Sequence, residues 1–584
     1  MFTAQEYLDK ITLGSLFLSQ LDYRRREGYG KFDVDPRRMH ESFSGHLNQF
    51  ATLLSGGGEG ANLAVSGTVH SRGISLLVLY QNGNEMGFQE APTHVLSWKR
   101  HQKNEQESAV EILKAWHSRS LSNYIPDLIT FMSSSGNQHD PLQFDQLVCY
   151  ALRYNVSRIR HLLAIGHQVW QHEYESGNNG RVVVTTGPAQ IVRKWFADHC
   201  SGRIVGFPLS HRLWNDDTSR RLIARYDNIL VEADTGNLCV TRENVDRLVS
   251  IFTTLEERVN DAFRADSTSR EEMFKRLYLH ILLLLTIIKT GVLGEMIRVN
   301  RGLERVLVEA TRTVKGKRQR DTDRADDEDE EATSIRTEGG FQYVRVEVYY
   351  MTLCACYDAV AHLQRHPIQA WGLDLTVTEV WCRGPPPTKI EPGLRQEFEG
   401  RISRDLENTP KYRNDPEWLA RLKNTLGKTL DKIFQSDHPR VPRVSYHAEA
   451  SLMAIVHAYN NPDCSQHSGL VRDPELFESL SEIFQKPANI MIGIPKKCCY
   501  LCWKLSKLLR LGPDSNRKIE LPGYQVDGVF FPWAPPPQLS EDILQELWED
   551  VCIRTVDALE ARNPEPFRSE PPCVSDESAV RFGQ

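Results

Sequence analysis

The chain has 584 residues, of which 40% are hydrophobic and 25% are charged, and its formal net charge is −7 at pH 7. A single hydrophobic core rarely extends over this length, so two or three domains are expected. The weak negative charge excludes a histone-like polycation, but it is compatible with a local basic groove.

Residues 1–313 are predicted to form a mostly helical region of one or two subdomains, whose function the sequence does not reveal. Between residues 240 and 300, apolar side chains recur at steps of three and four, which is the period of amphipathic helices. One strand is also expected here. Ser75 to Tyr80 is largely apolar and runs into Asn82-Gly83, a pair that favours the positive backbone angles of a tight turn.

The composition changes abruptly at residues 314–336, where a basic run is followed by an acidic one. Because few apolar side chains are available for burial, we expect a charged disordered linker or a long surface loop. The basic cluster from Lys315 to Arg320 resembles a nuclear localisation signal, although such runs are also common in solvated loops. Residues 337–414 are predicted to be a connecting region that can contribute strands to the next domain.

Residues 415–560 are predicted to form a C-terminal domain, and residues 561–584 a flexible tail. A helix is expected to begin at Asp415-Pro416, because aspartate caps free amide groups and proline suits the first helical position. The spacing of Leu419, Leu422 and Leu426 gives this helix one apolar face.

The most specific feature of the chain follows this helix: His447-Ala448-Glu449, and then Cys499 and Cys502. One histidine, a nearby glutamate and a CxxC pair are the components of a zinc site that activates water for deamination. A helical pattern begins after His447, and an apolar strand pattern from Asn489 to Ile494 precedes the cysteines. Both parts of the motif are therefore expected at helix starts, where free amides stabilise thiolates and carboxylates.

Zn²⁺ bound by His447, Cys499 and Cys502 would leave its fourth tetrahedral position to water. Glu449 would be the catalytic residue that moves a proton from this water to the leaving amine. Two alternatives concern Cys498. It could replace Cys499 as the ligand, or it could join the other three residues in a closed structural site.

Residues Asp415 to Trp548, about a quarter of the chain, resemble the zinc-dependent nucleobase deaminases of the cytidine deaminase-like superfamily. The similarity is to deaminase-like domains at the C-terminus of large fungal proteins, which are related to bacterial toxin deaminases. The matching residues are His447, Glu449, Cys499, Cys502, the segment Val526 to Phe531, and Trp533. The resemblance implies a C-terminal α/β/α sandwich that holds zinc between two helix N-termini and deaminates a cytosine- or adenine-like base. The expected fold class is α+β with several domains.

The chain departs from the family pattern at two places. The proline that usually adjoins the first cysteine is separated from Cys499 by Lys496, Lys497 and Cys498. In addition, no two-stranded hairpin is evident between Phe434 and Tyr446. The hairpin is therefore expected to be short, or to be supplied by an earlier segment such as Gln342 to Tyr350.

Aromatic side chains near the motif are candidates for stacking on a base, although burial in a core is their commonest use. The candidate substrate-binding residues are Tyr446, Tyr500, Trp503, Phe531 and Trp533. Lysines around the cysteines could contact phosphate, so a nucleic acid or a nucleotide is the expected substrate. The alternative function is that of a non-catalytic, zinc-stabilised binding or scaffold protein whose N-terminal region carries the interaction.

The sequence also indicates an intracellular protein, cytoplasmic or nuclear, that is not secreted. The cysteines cluster, as at Cys354/Cys356 and at the CxxC motif, instead of forming a disulfide framework. The first residues lack the basic segment and apolar core of a secretory signal. The apolar run from Ile281 to Ile288 is too short to span a bilayer, so no membrane partner is expected.

Overall fold

The computed structural model describes residues 3–21, 43–56, 62–70, 73–82, 95–103, 106–133, 141–171, 174–178, 181–185, 205–208, 237–240, 254–289, 351–365, 374–383, 392–434, 446–460, 473–484, 489–494, 498–509, 518–521, 533–536 and 539–563. Several predictions fall on other residues. The linker at 314–336, the segments Gln342 to Tyr350 and Val526 to Phe531, and the tail from residue 564 lie outside the described residues.

The described strands are β1 (Asn62–His70), β2 (Gly73–Asn82), β3 (Val95–His101), β4 (Tyr174–Asn178), β5 (Arg181–Thr185), β6 (Val205–Pro208), β7 (Asn237–Val240), β8 (Asp374–Arg383), β9 (Ile490–Gly493) and β10 (Ile519–Glu520). The described α-helices are α1 (Ala4–Gln20), α2 (Phe43–Leu54), α3 (Ala109–Lys114), α4 (Tyr124–Ser133), α5 (Pro141–Gln171), α6 (Leu255–Arg264), α7 (Arg270–Lys289), α8 (Ala355–Arg365), α9 (Pro392–Asn408), α10 (Pro410–Arg413), α11 (Pro416–Phe434), α12 (Ala448–Asn460), α13 (Pro474–Phe484), α14 (Tyr500–Leu508) and α15 (Glu541–Arg562). A 3₁₀ turn at Leu121–Asn123 precedes α4.

Three of the local predictions are confirmed. The strand expected at Ser75 to Tyr80 is β2, and the apolar segment before the cysteines is β9. The helix expected from Asp415-Pro416 is α11, and the Asp415 carboxylate accepts a 2.9 Å hydrogen bond from the Trp418 amide, as an N-terminal cap does.

One six-stranded mixed sheet has the strand order β10-β9-β1-β2-β8-β3. The antiparallel hairpin β1–β2 lies in its middle. On one side, β1 pairs antiparallel with β9, which pairs in parallel with β10. On the other side, β2 pairs in parallel with β8, which pairs antiparallel with β3. β4–β5 and β6–β7 form two separate two-stranded sheets.

The side chains of β2 are buried on both faces of the sheet, because helices pack on both faces. Leu76 and Val78 belong to one core, whose other residues come mainly from helices α2 to α8. Leu77 and Leu79 point the opposite way, as the two-residue period of a strand requires, into a core formed with α1, α9 and α11 to α15. The chain is therefore mostly helical around one mixed sheet, in agreement with the predicted α+β class.

The sheet crosses the domain boundaries that the sequence suggested. β1, β2 and β3 come from the region assigned to residues 1–313, β8 comes from the connecting region, and β9 and β10 come from the region after residue 415. The strand pair that neighbours β9 consists of β1 and β2. Ser66 in β1 reinforces this pairing, because its hydroxyl donates a 2.8 Å hydrogen bond to the Met491 carbonyl.

Among the described residues, no helix has the length and apolar character needed to cross a membrane. The eight cysteines with described side chains are all buried, and none is in a disulfide bond.

Gly493 at the end of β9 provides a test of how closely the sheet approaches α2. A Cβ atom at this position would lie 2.4 Å from the carbonyl carbon of Leu47 and 2.6 Å from its oxygen. Main-chain atoms cannot move aside as a flexible side chain does, so Gly493→Ala should lower the free energy of unfolding by about 1–3 kcal/mol. Urea denaturation of the full chain measures this change.

Gly400 in α9 is the matched control, because no atom would lie within 4 Å of an added Cβ there. Gly400→Ala should raise the free energy of unfolding by about 0.5–1 kcal/mol, as alanine is the better helix former. A Gly493→Ala protein as stable as the Gly400→Ala protein would contradict the close approach.

Candidate metal centre

His447 and Glu449 lie at the beginning of α12, as the sequence predicts. The His447 carbonyl accepts the first helical hydrogen bond, 3.0 Å from the Ser451 amide, so His447 occupies the N-cap position. Glu449 follows in the first turn. The unpaired amides and the positive end of the helix dipole favour an anionic carboxylate at this position.

Cys499 and Cys502 have the equivalent placement on α14. Cys499 is the N-cap residue, with extended backbone angles of φ −74° and ψ 167°. Its sulfur accepts a 3.4 Å hydrogen bond from the Cys502 amide, which brings the first turn of the helix over the sulfur atom. Cys499 and Cys502 therefore lie at the N-terminal end of α14, at the N-cap and in the first turn.

The two helix starts meet at His447. Its Nδ1 atom lies 3.3 Å from the Cys499 sulfur and 3.4 Å from the Cys502 sulfur. The three potential ligand atoms are all within 4.8 Å of one another, and the three residues are buried. His447, Cys499 and Cys502 therefore form a group that could hold a metal ion.

Cys498 is not part of this group, although it is fully buried. Burial is the main reason that the pKa of the Cys502 thiol is raised, and the nearby Cys498 adds a smaller effect in the same direction. The arrangement brings Cys499, and not Cys498, together with His447 and Cys502.

Glu449 lies beside the group without belonging to it. Its carboxylate oxygen Oε1 is 3.7 Å from His447 Nδ1, and its side chain is 5% exposed. A carboxylate at this distance is adjacent to the three donor atoms and is shielded from bulk water.

The three donors influence one another's protonation. Burial lowers the pKa of His447, but the Cys499 thiolate and the Glu449 carboxylate outweigh it and raise this pKa to about 10. Burial likewise raises the pKa of Cys499, but a hydrogen bond with Cys502 and the charge of His447 reverse the shift, so this pKa is lowered. Burial and the neighbouring Cys499 raise the pKa of Cys502 well above its usual range. These directions favour a thiolate at Cys499, an imidazolium at His447 and a thiol at Cys502 in the metal-free site.

A buried hydrogen bond connects α12 to β2 in the central sheet. The Ser451 hydroxyl, one turn after His447, donates a 3.0 Å hydrogen bond to the Gln81 side-chain oxygen at the end of β2. Both residues are buried. Sequence reasoning missed this pair, although a glutamine that ends an otherwise apolar strand was a usable signal for a buried polar contact.

The candidate substrate-binding residues have different surroundings. Tyr446, directly before His447, is buried, and burial raises its pKa to about 12. The Tyr500 hydroxyl is 3.3 Å from an Asp550 oxygen and accepts a 3.1 Å hydrogen bond from Arg554, both on α15. Trp533 is fully buried, and its main chain is hydrogen-bonded to Ser15 of α1.

Trp503 is partly exposed, with Lys507 above its ring at 5.7 Å. Phe531 lies outside the described residues. Tyr500 and Trp533 therefore contribute to packing between helices, whereas Trp503 is only partly buried and lies beside a lysine.

Comparisons with known proteins found no matching family model, no matching curated protein and no matching solved structure.

The protonation of the metal-free site predicts a proton release. Filling the site with Zn²⁺ at neutral pH should release about two protons, one from His447 and one from Cys502, because all three ligands bind as their deprotonated forms. The apparent affinity should accordingly fall as the pH falls. Calorimetric titration in buffers of different ionisation enthalpy measures the number of protons released.

Two variants identify which cysteines bind the metal ion. Cys502→Ser should weaken zinc binding strongly, whereas Cys498→Ser should leave both the affinity and the proton release close to those of the wild type. Equal losses in the two variants would show that Cys498 is a ligand and would contradict this arrangement.

Proposed function

We propose that this chain is a zinc-dependent deaminase that hydrolyses the amino group of a cytosine- or adenine-like base in a nucleic acid or nucleotide. The observation that carries the proposal is the buried group of His447, Cys499 and Cys502 with Glu449 adjacent to it. These are the residues that the sequence motif selected, and chain segments far apart in sequence bring them together.

The donor atoms fit zinc in type and spacing. An imidazole and two thiolates suit this ion. Tetrahedral zinc with ordinary bond lengths separates a nitrogen and a sulfur ligand by about 3.5 Å. The observed separations of 3.3 and 3.4 Å are close to that value.

The number of ligands supports a catalytic role. Structural zinc sites use four protein ligands, whereas catalytic sites use three. Cys498, the residue that could supply a fourth, is outside the group. When bound, zinc supplies a Lewis acid that lowers the pKa of water.

Glu449 is suited to the proton transfers that deamination requires. Water adds to the carbon that bears the amino group, the bond to nitrogen breaks, and ammonia leaves a carbonyl behind. The water loses two protons in this reaction: one goes to the ring nitrogen next to that carbon, and the other must travel to the departing nitrogen. The Glu449 carboxylate, buried and 3.7 Å from His447 Nδ1, is placed to accept this proton and to donate it again.

The surrounding fold also supports the proposal. The resemblance to deaminases implies zinc between two helix N-termini, and His447 and Cys499 occupy the N-cap positions of α12 and α14. It also implies a sheet with helices on both faces, which is how the two cores are arranged around β1 and β2.

Support for a nucleic acid or nucleotide substrate comes from α14. Trp503 is partly exposed, and Lys507 lies over its ring. An aromatic surface next to a cation suits a base and its phosphate. Of the other lysines of this neighbourhood, Lys504 is paired with Asp550 at 3.1 Å, and Lys496 and Lys497 are outside the described residues.

Replacing Glu449 tests the proposed activity. Glu449→Gln removes the proton carrier but keeps the shape of the side chain, so ammonia release should fall by about 10²- to 10⁴-fold while zinc stays bound. Ammonia is measured with cytosine and adenine nucleosides, nucleotides and single strands, and zinc by elemental analysis.

Glu478→Gln is the control, because Glu478 is exposed on α13. This variant should retain wild-type activity. If the zinc-loaded wild type releases no ammonia from any of these substrates, the proposed activity is wrong and the non-catalytic alternative is favoured.

A further inference from the structure

A polar cluster around the buried Asp550 connects α14 to α15. We define the Asp550 cluster as Tyr500, Lys504, Asp550 and Arg554. The Asp550 oxygen Oδ1 is 3.3 Å from the Tyr500 hydroxyl, 3.1 Å from the Lys504 ammonium and 3.8 Å from the Arg554 guanidinium. Arg554 also donates a 3.1 Å hydrogen bond to the Tyr500 hydroxyl. The cluster thus connects two residues of α14, the helix that begins after Cys499, to two residues of α15.

The charges of the Asp550 cluster explain why a carboxylate is tolerated there. Asp550 is 6% exposed, so an unpaired charge at this position would be costly. Lys504 and Arg554 both supply positive charge near its Oδ1 atom. The Tyr500 hydroxyl can donate to Asp550 while it accepts from Arg554.

The spacing of the contacts restricts the movement of α14. Tyr500 and Lys504 are four residues apart, so they lie on one face of the helix, about 6 Å apart along its axis. Two contacts on one face oppose rotation of the helix about its axis. In sequence, Cys499 directly precedes Tyr500, and Cys502 lies between Tyr500 and Lys504.

Rotation of α14 would move both sulfur atoms relative to His447, which lies on another helix. Metal sites need ligand distances correct to about 0.2 Å. A small displacement of α14 would therefore weaken binding even if both helices remained folded.

We infer that Asp550 is a positioning residue of the metal centre, which holds α14 in the orientation that directs Cys499 and Cys502 towards His447. The inference rests on the metal-binding part of the proposed function and is independent of deamination. It assigns Tyr500, a candidate for substrate contact from its sequence position, to the support of the ligands.

The alternative is that the Asp550 cluster only stabilises packing between α14 and α15. In that case its loss would lower the stability of the metal-free and metal-bound proteins together. Metal affinity and ligand geometry would then be unchanged, so these two properties separate the explanations.

Asp550→Asn in the full chain is the test. The variant keeps the size of the side chain, and its new amide group replaces Oδ2, which has no hydrogen-bond partner among the described residues. Zinc affinity, measured by competition with a chromophoric chelator, should fall about tenfold, the lower end of the effect of removing a supporting partner. The absorption bands of the Co²⁺-substituted protein should shift, because they report the arrangement of the thiolates.

Asp557→Asn is the matched control. Asp557 is on the same helix and pairs with Arg554 at 2.8 Å, but it is more exposed, at 38%. This variant should bind zinc with wild-type affinity and give the wild-type Co²⁺ spectrum. Tyr500→Phe, which removes only the hydroxyl group, should weaken zinc binding in the same direction as Asp550→Asn, and it serves as the test if Asp550→Asn does not fold.

The outcomes separate this inference from the proposed function. Wild-type affinity and an unshifted Co²⁺ spectrum in Asp550→Asn, or in Tyr500→Phe if only that variant folds, would overturn the inference, even if the protein melted at a lower temperature. Failure of the wild type to bind zinc would overturn both the inference and the proposed function. Weaker zinc binding in the variants of a wild type that binds zinc but releases no ammonia would support the inference and refute deamination alone.

Discussion

The candidate metal centre depends on one geometric constraint: the first turns of two helices must meet closely enough for three donor atoms to surround one ion. The cysteines are 52 and 55 residues from His447 in sequence, and yet their sulfur atoms lie within 3.4 Å of its Nδ1 atom. Ligand distances tolerate errors of only about 0.2 Å. The structure around α12 and α14 must therefore hold both helices in place on that scale.

The hairpin β1–β2 provides much of this support, because it contacts both halves of the centre. Gln81 of β2 accepts a hydrogen bond from Ser451 on α12. Ser66 of β1 donates to the Met491 carbonyl in β9, the strand that leads to the cysteines. A further contact comes from α15, where Asp550 contacts Tyr500 and Lys504 of α14. The early residues of the chain thus belong to the same structural unit as the candidate metal site.

Local signals were sufficient to predict the helix that starts at Pro416, the strands β2 and β9, and the placement of His447 and Cys499 at helix starts. The pairing of β1 with β9 could not be predicted, because these strands are far apart in sequence and the register of a sheet leaves no local signature. Tyr500 was misleading for a related reason: it lies next to Cys499 in sequence, but its hydroxyl contacts α15. Asp550 gave no signal, since acidic residues are common on amphipathic helices.

X-ray absorption at the zinc edge of the full-length, zinc-loaded protein tests the central claim most directly. The account predicts one zinc per chain with two sulfur ligands at about 2.3 Å and two lighter ligands at about 2.0–2.1 Å. One of the lighter ligands would be the His447 imidazole. Three sulfur ligands would mean that Cys498 closes the site, and failure to retain zinc would mean that there is no metal centre. Either result would contradict the account.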